Sequence, residues 1–261
     1  MGNTSKFTGK GVVYAAARPR YAEELFAFLS DETGLVPGAL VTDVGSGTGI
    51  FSEQLLDAGF SVIGVEPNDD MREQAERALG GREGHRSVCG AADATGLPDA
   101  SVDCATAVQA FHWFDADAFK RECRRILKPG GIVAIVYNMR DAESPYMQAF
   151  AELTRRFHPA FKGFSNGLDE AEPPAFFDGR CEVRQRDNPQ LLTREAFIAR
   201  ALSSSRAPRE GDASYPRYLE ELDALFDRFA EEREGEDGVV RKLLPYSLRT
   251  TVHVGRIDDD L

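Results

Sequence analysis

Three glycines within five residues, Gly45, Gly47 and Gly49, stand where an apolar run ends and a helix-patterned segment begins, in VTDVGSGTGIF. A chain that turns so sharply between a buried strand and a helix is confined to few architectures. Glycine reaches backbone conformations denied to other residues, and it lets a ligand approach main-chain N–H groups. Upstream, Ala39 to Val44 reads as a buried strand; downstream, Phe51 to Ala58 reads as a helix. The alternation then repeats. Ser61 to Val65 reads as a second strand ending at Glu66 and Pro67, Asp69 to Leu79 as a second helix, and Arg86 to Cys89 as a short third strand. Val102 to Val108 reads as a fourth strand, followed by a helix from about Asp115 to Leu127, a turn at Pro129, Gly130 and Gly131, and a fifth strand from Ile132 to Tyr137. Strands alternating with helices imply right-handed crossovers and a mostly parallel sheet covered on both faces. The expected fold class is therefore α/β, a Rossmann-like doubly wound sheet. Ligands on such sheets bind outside the carboxyl ends of the strands, where the strand order reverses.

The flanks are less regular. Tyr21 to Ser30 has helical spacing and is stopped by Gly34, Pro37 and Gly38. Ser144 to Phe157 reads as an amphipathic helix, and the segment 159–180 is loop-rich, with three prolines and three glycines. Arg194 to Leu202 and Pro216 to Glu232 read as helices, the second ending in the charge run EEREGED, expected as a solvated face. Ser247 to Ile257 alternates like a strand, expected at the sheet edge or in a hairpin. The length of 261 residues suits one domain. Within it we expect a core over about 35–138 with late strands near 181–190 and 247–257. A lid over 1–34 and a cap over about 141–244 would shape the acceptor pocket, because loops on a rigid scaffold carry specificity. Phe161, Phe164, Phe176 and Phe177 would line that cap or pack it onto the sheet.

The formal charge of −12 repels phosphate backbones, so nucleic acid is not an expected partner. Cys89, Cys104, Cys123 and Cys181 are scattered without metal-ligand spacing, and we expect reduced thiols, no metal and a cytoplasmic protein. The amino terminus lacks the apolar core of a signal peptide, and no apolar run approaches the ~20 residues of a membrane span. A monomer or homodimer acting on a small molecule, away from membranes, is the expected state.

Two features refine the glycine loop. Glu66 ends the second strand, where nucleoside-binding α/β folds place a carboxylate for ribose hydroxyls. Each charge-assisted hydrogen bond there is worth about 1.5–3 kcal/mol. A helix-cap or surface acid is the plainer alternative for Glu66 alone. Counting from Gly45, the sixth position is Ile50 and not the glycine of a dinucleotide fingerprint. Asp43, at the end of the first strand, could brace the loop's N–H groups or receive the ammonium of an amino-acid cofactor through water.

The segments DVGSGTG, VEPNDDM, ADATGLP and LKPGG, in that order, resemble the motifs of class I S-adenosylmethionine-dependent methyltransferases. More narrowly the chain is similar to the small-molecule branch labelled methyltransferase type 11. Its flanks YAAARPRY and LPYSLRTTVHVGRI resemble a subgroup that includes enzymes similar to trans-aconitate methyltransferase. The resemblance implies a seven-stranded sheet with a helical cap insertion, S-adenosyl-L-methionine as cofactor and S-adenosyl-L-homocysteine as product. It implies that Gly45, Ser46 and Gly47 pass under the methionine and ribose, and that Glu66, beside Pro67, clamps the ribose. Asn68 and Met71 would serve the adenine side, although Met71 also fits ordinary helix core. Asp93, between Ala92 and Ala94, would take the adenine amino group or be a turn residue. Gln109 and Ala110 would meet the methionine end. Tyr14 and Arg18 would lie over the cofactor if the amino-terminal segment closes.

On the acceptor side, QAFHWFD supplies Phe111, His112, Trp113 and Phe114 just beyond the fourth strand, an aromatic face suited to a cationic sulfur. His112 is the best general-base candidate because histidine titrates near neutral pH, with Trp113, Tyr137 and Asn138 as further acceptor-pocket residues. The alternative is that His112 and Trp113 merely wall the pocket. His85, His158 and His253 each stand alone. The position after the fourth strand reads QAFH and lacks the (D/N)PP(Y/F) motif of enzymes that methylate DNA bases or protein amides. The expected function is methyl transfer to a small molecule, at oxygen or nitrogen in preference to carbon. The alternatives are a non-catalytic S-adenosylmethionine-binding regulator and an NAD(P)-dependent oxidoreductase.

Overall fold

The computed structural model describes residues 20–164, 169, 171–202, 204, 206–235 and 237–257, with residues 31–33 described by their backbone alone. Two compact units are present. Unit 1 gathers the described residues within Met1–Asn138, Gly167–Arg186 and Thr250–Leu261; unit 2 gathers those within Met139–Asn166 and Asp187–Arg249.

Unit 1 begins with α1 (Glu24–Thr33), which stops at Gly34 in the left-handed conformation, φ 75°. Then come β1 (Leu40–Val44), α2 (Ile50–Asp57), β2 (Ser61–Val65), α3 (Asp69–Leu79), β3 (His85–Val88), β4 (Val102–Val108) and α4 (Ala116–Ile126). β5 (Leu127–Arg140), α6 (Glu172–Phe176), β6 (Glu182–Asp187) and β10 (Leu248–Gly255) complete its elements. The seven-stranded sheet has the order β3-β2-β1-β4-β5-β10-β6. Register is parallel from β3 through β5, with Asp43 opposite both Gly64 and Thr106. The near-continuous apolar runs of β1, β2 and β4 follow from burial on both faces. One core gathers Leu25, Phe26 and Leu29 of α1 with Phe51 and Leu55 of α2, Val41 of β1 and Val136 of β5.

Three expectations are corrected. The turn at Pro129 to Gly131 does not separate a helix from a new strand: β5 starts at Leu127, and the three residues form an irregularity within it, Gly130 taking φ 76°. The register jumps there from Val102↔Leu127 to Cys104↔Ile132. The carboxy-terminal strand β10 is not at the sheet edge but lies between β5 and β6. The edge falls to β6, whose polar residues EVRQRD suit a strand with unpaired backbone groups.

Unit 2 contains α5 (Pro145–Phe157), α7 (Arg194–Leu202), α8 (Tyr215–Phe229) and a three-stranded sheet ordered β7-β9-β8, from β7 (Gln190–Leu192), β8 (Glu231–Glu234) and β9 (Val240–Tyr246). Its own core includes Tyr146, Phe150, Phe197, Leu222 and Phe226. The third correction falls here. The charge run does not extend the helix: α8 ends at Phe229, Ala230 turns extended, and Glu231–Glu234 pairs antiparallel with β9. Gly235 and Gly238, the latter at φ 71°, bend the chain back, so turn chemistry overrides the helical propensity of glutamate. Among the described residues no helix is long and apolar enough to cross a membrane.

Candidate active site

The order β2-β1-β4 puts the reversal of strand order between β1 and β4, and the chain leaves β1 there through Gly45. A cavity of about 410 Å³ opens at this place, within the range of about 300–1,000 Å³ typical of small-molecule sites. The loop after β1 forms its floor. Gly45, Gly47 and Gly49 all have positive φ, at 72°, 57° and 84°. A Cβ on Gly45 would come within 2.8 Å of Ala110 Cβ, whereas one on Gly47 would meet nothing within 4 Å. Gly45 is thus required by packing, and Gly47 leaves its backbone open to the cavity. Gly45 N–H and Ser46 N–H both donate to the Val65 carbonyl, which ties the loop to the end of β2. Ser46 Oγ is buried without a hydrogen-bond partner, and it passes so close to β2 that a Cβ on Gly64 would lie 2.9 Å from it.

Glu66 follows β2 and is buried at the cavity wall. Its Oε2 accepts Gly47 N–H at 3.0 Å and its Oε1 accepts Asn68 N–H at 2.8 Å. Burial raises the carboxyl above the usual glutamate range, and these two N–H donors and Arg72 pull it back only in part. Each carboxylate oxygen has lone pairs beyond the one that an N–H occupies, so Glu66 has capacity for two further donors such as a vicinal diol. Asn68 caps α3, its Oδ1 accepting Met71 N–H. Met71 is buried and also lines the cavity, so core and cavity-wall roles coincide.

Asp43 is 1% exposed. Its carboxylate accepts Ser52 Oγ–H at 2.7 Å and Thr106 Oγ–H at 3.2 Å, linking β1 to α2 and β4. Burial is the main cause that pushes its pKa up to about 6, and the nearby Glu66 charge adds to it. Neither bond is to a loop N–H group, the brace expected from sequence, and the residue also touches the cavity.

Asp93 is exposed and lines the cavity. Its loop is closed by Ala91 and Ala94, which exchange both backbone hydrogen bonds at 3.1 Å. Behind it, Thr95 donates its N–H and Oγ–H to Glu122 Oε1, and Arg125 donates to both oxygens of the same carboxylate. The hydrogen bonds from Arg125 and Thr95 outweigh burial and hold the Glu122 carboxyl below its usual range. Position 95 is thus anchored to α4. Sequence reasoning missed this, although a glutamate at i and an arginine at i+3 on a helix was a visible signal.

After β4, Gln109 adopts φ 54°, a conformation rare outside glycine, and its Nε2 donates to the Asn138 carbonyl at 3.0 Å. Phe111–Trp113 form one 3-10 turn. Trp113 is 45% exposed and lines the cavity. The His112 ring lies 4.7 Å from that of Trp113, and its Nδ1 is 3.0 Å from Tyr137 Oη.

The cavity brings together Asp43, Gly45, Ser46, Gly47, Glu66, Pro67, Asn68, Met71, Ala92, Asp93, Gln109, Ala110 and Trp113. It does not include Ala94, His112, Tyr137 or Asn138 among its lining. The acceptor-pocket reading of two of these is corrected. Tyr137 and Asn138 are both buried. Asn138 Nδ2 donates to the Arg20 carbonyl and its Oδ1 accepts Thr250 Oγ–H at 2.6 Å, so the amide joins the entry segment, β5 and β10. Tyr14 and Arg18 lie outside the described residues. Phe114 also lines the cavity, and so do Tyr21, Thr48, Ile50, Phe51, Ala91, Val108 and Asp115, which were not foreseen. Phe114 had a local signal as part of the aromatic run after β4. Tyr21 had none: the mutual hydrogen bonds of its backbone with the Gln54 side chain, both 2.9 Å, place it there.

Residues 42–135 match the methyltransferase domain family. An uncharacterized methyltransferase of Mycobacterium tuberculosis is 32% identical over 145 residues, 55% of this chain and 56% of that protein. A 2-methyl-6-phytyl-1,4-hydroquinone methyltransferase of Synechocystis sp. is 31% identical over 168 residues, 60% of this chain and 52% of that protein. The chain therefore spans little more than half the length of these curated relatives. Among solved structures, a candidate type II methyltransferase from Anaeromyxobacter dehalogenans superposes with a TM-score of 0.66 at 26% identity, covering 92% of this chain and 98% of that one.

Proposed function

We propose that the chain, which carries a methyltransferase domain over residues 42–135 of the class I S-adenosylmethionine-dependent kind, transfers a methyl group from S-adenosylmethionine to a small-molecule acceptor, at oxygen or nitrogen in preference to carbon. The observation that carries the reading is the Glu66 carboxylate, buried at the end of β2, already bridging Gly47 and Asn68 and retaining lone pairs toward the cavity.

The residues present fit the methyl donor. Gly47 leaves an open approach to its backbone, and Met71 with Pro67 and Ala92 supplies apolar surface for a purine. Glu66 would hold the ribose hydroxyls, Asp93 the adenine amino group, and the loop Gly45–Ser46–Gly47 with Gln109 and Ala110 the methionine part. When bound, the donor supplies a sulfonium whose methyl group is electrophilic, so no metal or covalent intermediate is required. The chain's contribution is alignment and exclusion of water. Trp113 and Phe114 offer aromatic faces to a cation, an attraction of about 0.5–2 kcal/mol. The bond from Gln109 to the Asn138 carbonyl fixes the strained end of β4, against which the reacting end of the donor would rest.

Titration calorimetry with S-adenosylmethionine and with S-adenosylhomocysteine, followed by metabolite profiling with isotope-labelled donor, tests the reading. We expect heat with both ligands and label appearing in a small molecule. No heat with either ligand overturns it.

A further inference from the structure

Arg20, Tyr21 and Ala22 lie ahead of α1, in neither helix nor strand. Such a segment usually runs over the surface and gives its backbone groups to water. Here side chains from three elements take them. Gln54 of α2 accepts Tyr21 N–H at Oε1 and donates from Nε2 to the Tyr21 carbonyl, both at 2.9 Å. Asn138 of β5 donates from Nδ2 to the Arg20 carbonyl at 3.2 Å. Thr250 of β10 accepts Ala22 N–H at 3.2 Å and donates its Oγ–H to Asn138 Oδ1 at 2.6 Å. Gln54, Asn138 and Thr250 are all buried, and none of the three lines the cavity. Tyr21 does line it, its ring set edge-on against that of Phe51 with centroids 5.1 Å apart.

We infer that Asn138 is a positioning residue for the methyl donor: with Thr250 and Gln54 it sets the backbone of Tyr21, and so the place of the Tyr21 ring in the cavity wall. Burying two amides and a hydroxyl is favourable only when their bonds are made, and a network so completed holds one geometry. What these bonds hold is the backbone around one cavity-lining aromatic residue. The amide suits the task because it carries a donor and an acceptor at once. The Arg20 carbonyl can only accept, which turns Nδ2 toward it and leaves Oδ1 for the Thr250 hydroxyl. An aspartate would set an oxygen against that carbonyl, and a leucine would answer neither group.

The ligand in this inference rests on the methyl-transfer reading; the clamp on Tyr21 does not. Asn138 acts on the donor without touching it. Its main-chain carbonyl also accepts Gln109 Nε2 at 3.0 Å, and Gln109 is itself part of the cavity lining. One residue behind the cavity thus bears on two parts of its wall.

Amide exchange of the full chain, read by NMR without ligand, tests the clamp. We expect Tyr21 and Ala22 N–H to be protected in the wild type and to exchange faster in Asn138→Ala. Unprotected Tyr21 and Ala22 amides in the wild type overturn the inference, whatever the chain binds. Calorimetry with S-adenosylmethionine then supplies a double-mutant cycle. Asn138→Ala should raise Kd about tenfold, and on a Tyr21→Ala background the same change should raise it less than about twofold, because the wall it positions is gone. Thr250→Val should follow Asn138→Ala, while Thr250→Ser, which keeps the hydroxyl, should bind as the wild type does. Equal rises on both backgrounds refute the positioning role and confine Asn138 to stability. A wild type that binds neither donor nor product removes the methyl-transfer reading and the role with it, and the exchange rates tell that case from a failed clamp. If Asn138→Ala does not fold, Thr250→Val takes its place in the cycle.

Discussion

Replacing Glu66 by glutamine changes one atom pair and separates two functions of the carboxylate. In the wild type each oxygen takes one backbone N–H, from Gly47 at 3.0 Å and Asn68 at 2.8 Å, and each retains capacity toward the cavity. In Glu66→Gln the amide oxygen still accepts one N–H, while the amide nitrogen meets the other as donor against donor. One ribose hydroxyl loses a charged acceptor, worth about 1.5–3 kcal/mol, or roughly a 10- to 150-fold rise in Kd for S-adenosylmethionine. Stability should change little, because removing the charge relieves the burial that raises this carboxyl while the donor clash opposes that gain. A pH series adds a second reading. The ionised carboxylate is the binding form, so wild-type affinity should fall as pH drops through its raised pKa, and the variant should be flat over that interval. Calorimetry at several pH values, with thermal melts as control, supplies both. A Kd within twofold of wild type, in a variant that melts normally, would refute the ribose clamp.

The glycine loop gives a matched pair. Gly47→Ala, at φ 57° with open space around its Cβ, should cost about 1–2 kcal/mol of stability and weaken donor binding more than melting. Gly45→Ala, whose Cβ would sit 2.8 Å from Ala110 Cβ, should cost more stability than Gly47→Ala in urea titrations, and equal costs would refute the packing argument. Asp43 has a folded pKa of about 6 against a usual 3.8, so the folded state holds the proton more tightly. Stability from this group is therefore greatest in acid and falls by about 3 kcal/mol as pH rises from near 4 through 6. Asp43→Asn should gain on wild type over that window in urea titrations, and a gap independent of pH would reject the assignment. Glu122→Gln loses the charge that Arg125 and Thr95 address, and should raise the Kd of the donor by loosening the Asp93 loop. Unchanged Kd together with a lowered melting temperature would confine Glu122 to stability.

The parts legible in sequence are those whose cause is local. β2, α3, β4 and α7 occupy the spans that apolar periodicity predicts, and Asn68 caps α3 as its side chain allows. The glycine spacing and Glu66 marked the cavity, because a tight turn and a strand-end acid are chemical facts about short segments. The misreadings arose where distant segments compete. EEREGED carries helical propensity, yet the hairpin with β9 captures it. Asn138 looked available for an acceptor until Thr250, 112 residues away, claimed its amide.

Sequence by itself thus determined the alternation of strands and helices, the tight glycine turn after β1 and the acid that ends β2, since side-chain periods of about 2 and 3.6 residues and turn residues are written within each segment. The tertiary structure decided that β10 enters between β5 and β6, that Glu122 braces the turn at Thr95, and that Tyr137 reaches the backbone and ring of His112 across 25 residues. The partner of a buried polar group depends on strand register and on which element packs above it. Those follow from packing the whole chain, not from any segment alone.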